Sequence, residues 1–177
     1  GISYLHALLP LSVLYVLSDV LYFFLYYIAR YRRKVVRKNL TNAFPFKGKV
    51  EIEKIEKDFY RFLCDYYVET IKLLHISDEE VKQRMRFDNP ELLNELAKNG
   101  NSCFMSLGHY GNWEYVPSVG FYLSPEIVQG QIYKQLHNSV FDRFFLKIRS
   151  RFSPKCIEMG EAFRTIVKNR NEGRSML

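Results

Sequence analysis

The stretch Gly108-His109-Tyr110-Gly111-Asn112-Trp113-Glu114 brings a histidine and a glutamate within five positions of each other, separated by four residues that include a glycine, an asparagine and the only tryptophan of the chain. Imidazole and carboxylate together can do general-base chemistry. The carboxylate fixes the tautomer and stabilises the imidazolium, so the free ring nitrogen can take a proton from a hydroxyl. A continuous helix does not join them, because five residues rotate by about 500° and leave the two side chains about 140° apart. A turn is needed. Gly108 and Gly111 permit tight or left-handed backbone, and Asn112 can cap a helix beginning near Trp113. A His-Glu pair without such context is more often incidental than catalytic, and metal ligation would need further ligands that the sequence does not offer. His6, His75 and His137 have no comparable carboxylate and read as interfacial or structural.

The elements around the motif read as α/β. "SCFMSL" (102–107), "EIVQGQIYK" (126–134) and "PKCIEMG" (154–160) have strand length and apolar content, and helical segments lie between and after them near 113–123, 139–151 and 161–171. Strand and helix in alternation predict a largely parallel sheet with flanking helices, whose ligands bind beyond the carboxyl ends of the strands. The motif falls at such an end.

The first hundred residues read as helical. Leu5 to Ile28 carries Asp19 as its one formal charge and as a helix reaches roughly 36 Å, against a hydrocarbon core of about 30 Å. Asp19, Pro10, Ser12 and Ser18 weaken a spanning assignment, since a mid-membrane carboxylate costs about 2.5–3.5 kcal/mol, and a tilted or partly embedded helix is the alternative. Basic residues follow the apolar run instead of preceding it, which is wrong for a cleavable signal. They are Arg30, Arg32, Arg33, Lys34, Arg37 and Lys38, a cluster suited to anionic headgroups at about 1 kcal/mol per charge and to a cytoplasmic location. A solvated helix end is the plainer alternative.

Beyond a turn-rich break, Ile52, Ile55, Phe59, Phe62, Leu63, Tyr66, Ile71 and Leu74 predict an amphipathic helix, with Glu69 near its apolar side. Ser77 is placed to cap a short acidic helix, and Asn89, Pro90 and Gly100 bracket another. The organisation is a membrane-anchoring helix over 1–30, a basic juxtamembrane and helical region over 31–100, and an α/β core over 101–177.

Net charge is +7 and the isoelectric point about 9.3, which favours an anionic partner. A phospholipid surface or an acidic carrier protein fits this better than nucleic acid, since no recognition helix or base-stacking motif accompanies the basic run. Cys64, Cys103 and Cys156 are widely spaced and read as reduced thiols in or near the core.

"GHYGNWE" resembles the motif of the bacterial lipid A biosynthesis acyltransferases of the lauroyl and myristoyl type, within the wider glycerolipid acyltransferase superfamily. Arg37, Asn39, Leu40, Ala43, Phe44 and Pro45 are similar to a second stretch of that family. "VETIKLL" fits as well, as does a block containing Tyr133, Asn138, Asp142, Arg143 and Arg149. The resemblance implies transfer of a fatty acyl group from an acyl carrier protein or coenzyme A thioester to a hydroxyl of a lipid A precursor at the cytoplasmic side of the bacterial inner membrane. It needs neither metal nor other cofactor. His109 would be the base and Glu114 its orienting acid. Asn138, Arg143, Arg149 and Arg151, with Lys134, would contact substrate phosphates or serve as a helix cap and surface charges.

Two other functions stand beside this one: acyl transfer to another phospholipid, aminolipid or glycolipid, and lipid binding at a membrane surface without chemistry. The resemblance also implies further strands and an Asp-Gln-x-Pro-like segment after the last residues, so the chain is expected to be truncated at its C-terminal side and inactive by itself.

Overall fold

Pro10, lacking an N–H, starts the first long helix, α1 (Leu11–Phe23), which continues into a π-helical turn over Phe24–Ile28. The computed structural model describes residues 7–98, 100–152, 154–169 and 175–176. These divide into two compact units, residues 1–75 and 76–177.

In the first unit, α1 is followed by α2 (Arg33–Ala43) and α3 (Lys49–Lys72). The expected amphipathic helix is α3, opened by the Gly48 N–H donating to Glu51 Oε2 at 3.2 Å. It runs antiparallel alongside α1; Leu11, Leu14, Ser18 and Tyr22 of α1 and Tyr60, Cys64 and Val68 of α3 are buried, and polar contacts cross the seam between the two helices. Tyr15 donates to Glu69 at 2.7 Å, Ser18 donates to Asp65 at 2.6 Å, and Lys72 Nζ donates to the carbonyls of Ala7 and Leu9 at 3.1 and 2.9 Å. Glu69, expected near the apolar side, is therefore tied into this seam.

Further along, Tyr22, Tyr26, Tyr60 and Cys64 form a buried cluster, with Leu21, Leu25, Val36 and Leu63 packed on it. Burial, with the neighbouring Asp65 charge, pushes the Cys64 thiol up to about 11.

Glu56 closes the arrangement. Its side chain is 0% exposed, and it accepts from Arg33 Nε at 2.7 Å and Arg37 Nε at 2.6 Å, fastening α2 to α3. The Arg33 guanidinium also lies 4.0 Å over the Tyr26 ring. Arg33 and Arg37 of the basic cluster thus have a structural partner.

In the second unit, α4 (Asp78–Arg84) is capped as expected, the Glu80 N–H donating to Ser77 Oγ at 3.1 Å. Next comes α5 (Glu91–Lys98), ending before Gly100, whose φ of +74° is the left-handed conformation glycine adopts freely. The segment 102–107 differs from expectation. It forms only an isolated bridge at Cys103, and Phe104 and Leu107 are exposed, so the burial that would drive a strand there is missing.

A 3-10 helix (Trp113–Tyr122) follows instead of the expected α-helix, because Pro117 has no N–H for an α-type bond to residue 113 and its ring would clash with that carbonyl. The sheet comprises β1 (Val128–Tyr133), β2 (Lys155–Glu158) and β3 (Ser175–Met176), all parallel in the order β2-β1-β3, with Gln131 opposite Cys156 and Val128 opposite Ser175. Between β1 and β2 runs α6 (Ser139–Arg149), extended by a 3-10 turn at Ser150–Phe152, and α7 (Met159–Asn169) follows β2. The fold class is α/β with an apolar N-terminal helix, as the sequence predicts.

Burial alone would push the Glu56 carboxyl up, but hydrogen bonds from Arg37 and Arg33 outweigh it and hold the group below its ordinary range. Its contribution to stability is therefore complete above the ordinary carboxylate pKa and is lost as pH falls through the depressed value. Glu56→Ala is expected to cost about 3 kcal/mol at neutral pH, the low end for a broken buried pair because both arginines are partly exposed. Denaturant unfolding at pH 7 and pH 3 checks this, with the gap to wild type narrowing in acid.

Candidate active site

The motif residues lie just before the 3-10 helix and in its first turn. Gly111 has a φ of +62°, the left-handed turn that the separation of His109 and Glu114 demands. Asn112 occupies the cap position, but its side chain accepts no bond from the helix N–H groups. Its ψ of 83° departs from the extended backbone that a capping asparagine needs.

His109 is exposed, its ring edge-on to Trp113 with centroids 4.9 Å apart. Trp113 is thus the neighbour of the imidazole. Glu114 is 1% exposed. Arg149, at the end of α6, grips it with two parallel bonds: Nε to Oε2 at 3.0 Å and Nη2 to Oε1 at 2.8 Å. This fork is the strong, directional form of a carboxylate-guanidinium pair.

The 3-10 helix is seated on β1 at close quarters. Gln129 Nε2 donates to the Pro117 carbonyl at 2.9 Å. A Cβ placed on Gly120 would stand 2.5 Å from Gln129 Oε1 and 2.9 Å from the Phe152 carbonyl oxygen, so only glycine allows this approach.

The other expected site residues fall in three places. Arg143 is exposed and lines a cleft of about 730 Å³ with Lys134, His137, Asp142, Glu158 and Met159, among others, where β1 and β2 end and α6 and α7 begin. That is the carboxyl-end crevice in which open α/β sheets bind ligands, and helix N-termini there favour anions. Asn138 caps α6, its Oδ1 accepting from Val140 N–H at 3.0 Å and Phe141 N–H at 3.2 Å. Arg151 donates to the Ile76 carbonyl and, at 3.2 Å, to Asp78 Oδ1.

Asp142 was legible only as part of a family-like block. It is buried and accepts from the Leu136 N–H at 2.8 Å, shaping the turn after β1. The Glu114–Arg149 partnership was not legible, because nothing in spacing joins residues 35 positions apart.

Among known families, the bacterial lipid A biosynthesis acyltransferases provide a model that matches residues 1–177, the whole chain. The chain belongs to this family. No curated protein matches it. Membership makes acyl transfer in lipid A biosynthesis the activity type, and in this acyltransferase the described residues include one helix, Leu11–Ile28, long and apolar enough to cross a membrane. Cys103 and Cys156 of the acyltransferase are half-buried free thiols, and burial raises the Cys156 thiol.

Two substitutions test how the motif is held. Arg149→Ala strands a buried carboxylate and is expected to cost about 3–5 kcal/mol, whereas Arg149→Lys keeps the charge, loses the fork and costs about 1–2 kcal/mol. Both are read by denaturant unfolding. Gly120→Ala is expected to lower stability by about 1–3 kcal/mol through overpacking, measured in the same way.

Proposed function

We propose that the protein transfers a fatty acyl group from a thioester, carried by acyl carrier protein or coenzyme A, to a hydroxyl of a lipid A precursor, with His109 as general base. The observation that carries the reading is the family match across the chain, with His109 and Glu114 at the ends of a left-handed turn. The imidazole takes the acceptor proton and the oxygen attacks the thioester carbonyl. The tetrahedral intermediate then collapses, and the departing thiolate recovers the proton from the imidazolium. Exposure of His109 suits a base that must meet a bulky lipid alcohol.

In this reading Glu114, its carboxylate held by Arg149, orients and charge-balances the imidazolium. Arg149 is thereby a positioning residue. Lys134 and Arg143, in the crevice beyond the strands, supply positive charge for phosphate on the acceptor or the carrier. The apolar helix and the basic residues that follow it support a place at the cytoplasmic face of the inner membrane, where an acyl carrier protein and a lipid acceptor meet. Other membrane lipids are the competing acceptors.

His109→Ala is expected to lower acyl transfer at least about 100-fold while leaving the unfolding midpoint and membrane association intact. The measurement is transfer of a radiolabelled acyl chain to lipid A precursor. Retained transfer would favour lipid binding without chemistry. Mass spectrometry of lipids from cells lacking the protein then identifies the acceptor: loss of one secondary acyl chain from lipid A is expected, and loss from another lipid class assigns the chemistry there.

A further inference from the structure

In the first unit α1 is not a free-standing helix. From Ala7, just before it, to Tyr22 it is accompanied by α3, whose ionisable groups reach this stretch at Lys72, Glu69, Asp65 and Arg61 in turn. An upright, spanning α1 would draw these groups into hydrocarbon, where each is unfavourable.

The outward face of α1 is apolar and uncovered: Val13, Val16, Leu17, Val20, Phe23 and Phe24 are all exposed. Asp19, at about 100° per residue, falls with Ser12 on the flank of that face instead of its centre. A helix with an uncovered apolar face, a back covered by a charge-bearing helix and its carboxylate at the margin suits the boundary of a single leaflet.

The charges sit at the end of that face. Arg30, Arg32, Arg33, Lys34 and Arg37 line a pocket of about 460 Å³. Glu56 engages Arg33 and Arg37. Among the described residues Arg30, Arg32 and Lys34 are exposed and make no ion pair, so they face the pocket with three uncompensated charges. Arg30 and Arg32 hold φ of 49° and 52°, left-handed backbone that arginine seldom adopts. That strained turn lifts two guanidinium-bearing side chains out of the helical path.

We propose that α1 lies flat in one leaflet and that Arg30, Arg32 and Lys34 take the phosphate of an anionic phospholipid of that leaflet. This deepens the membrane association included in the proposed function, yet it is read by binding without turnover, so its failure leaves acyl transfer standing. The carrier or acceptor phosphates of the reaction are not involved.

The full chain is tested for co-sedimentation with phosphatidylcholine vesicles and with vesicles containing one third phosphatidylglycerol. Wild type is expected to prefer the anionic vesicles. The triple variant Arg30→Asn, Arg32→Asn, Lys34→Gln, whose asparagines tolerate the left-handed backbone, is expected to lose about fivefold in affinity per charge removed. Equal binding of wild type and variant to the anionic vesicles overturns the pocket. So does abolition of the preference by millimolar inorganic phosphate, which would assign the pocket to free phosphate instead of a lipid.

Orientation is read with an environment-sensitive dye on cysteines placed at Val13, Val20 and Tyr27, and with brominated lipid confined to the outer leaflet. Comparable quenching at all three positions is expected. Strong quenching at one end and none at the other shows a spanning helix and overturns the flat seat.

Discussion

The motif depends on one ion pair. Residues 104–112 form no regular element and Glu114 follows in the first turn of the 3-10 helix, so the local backbone alone does not fix the direction of its carboxylate. Arg149 supplies the restraint from 35 residues downstream, meeting both oxygens of a carboxylate that is almost wholly removed from water. Two parallel bonds define an orientation as well as a distance, which a single contact or a lysine would not. The 3-10 helix carries that orientation into the sheet through Gln129 and the bare backbone of Gly120.

The first unit uses buried charge differently. Glu56 joins two helices through two arginines, and the α1–α3 seam contains hydroxyl-carboxylate and ammonium-carbonyl contacts, while a row of large apolar side chains faces outward. Since Leu11, Leu14, Ile52 and Val68 are buried in the same unit, α1 is apolar on its covered and its uncovered side alike, unlike a helix of a water-soluble pair. It is consistent when the outer surface meets lipid, because the polar groups then satisfy one another away from the acyl chains.

What the sequence made legible follows how locally each feature is determined. Caps and turns were readable: Ser77 caps α4, Asn138 caps α6, and Gly111 and Gly100 take left-handed backbone. The strands at Val128–Tyr133 and Lys155–Glu158 were readable from their short apolar runs between helical segments. The run at 102–107 has the same local appearance yet forms only a bridge, because a strand is completed by neighbours that periodicity does not reveal. Pro117 gave a warning against a regular helix that the apolar spacing of 113–123 masked. At the site, the motif was visible in seven residues, whereas the arginine that positions its acid is a product of tertiary folding.

The buried thiol of Cys64 has a bearing on thioester chemistry. With its acidity pushed to about 11, roughly one molecule in ten thousand holds a thiolate there at neutral pH. Activated acyl groups exchange readily onto ionised sulfur. The thioester donor proposed above would expose each accessible cysteine to accidental self-acylation, and at this one the fold suppresses the side reaction by withholding both the charge and the approach.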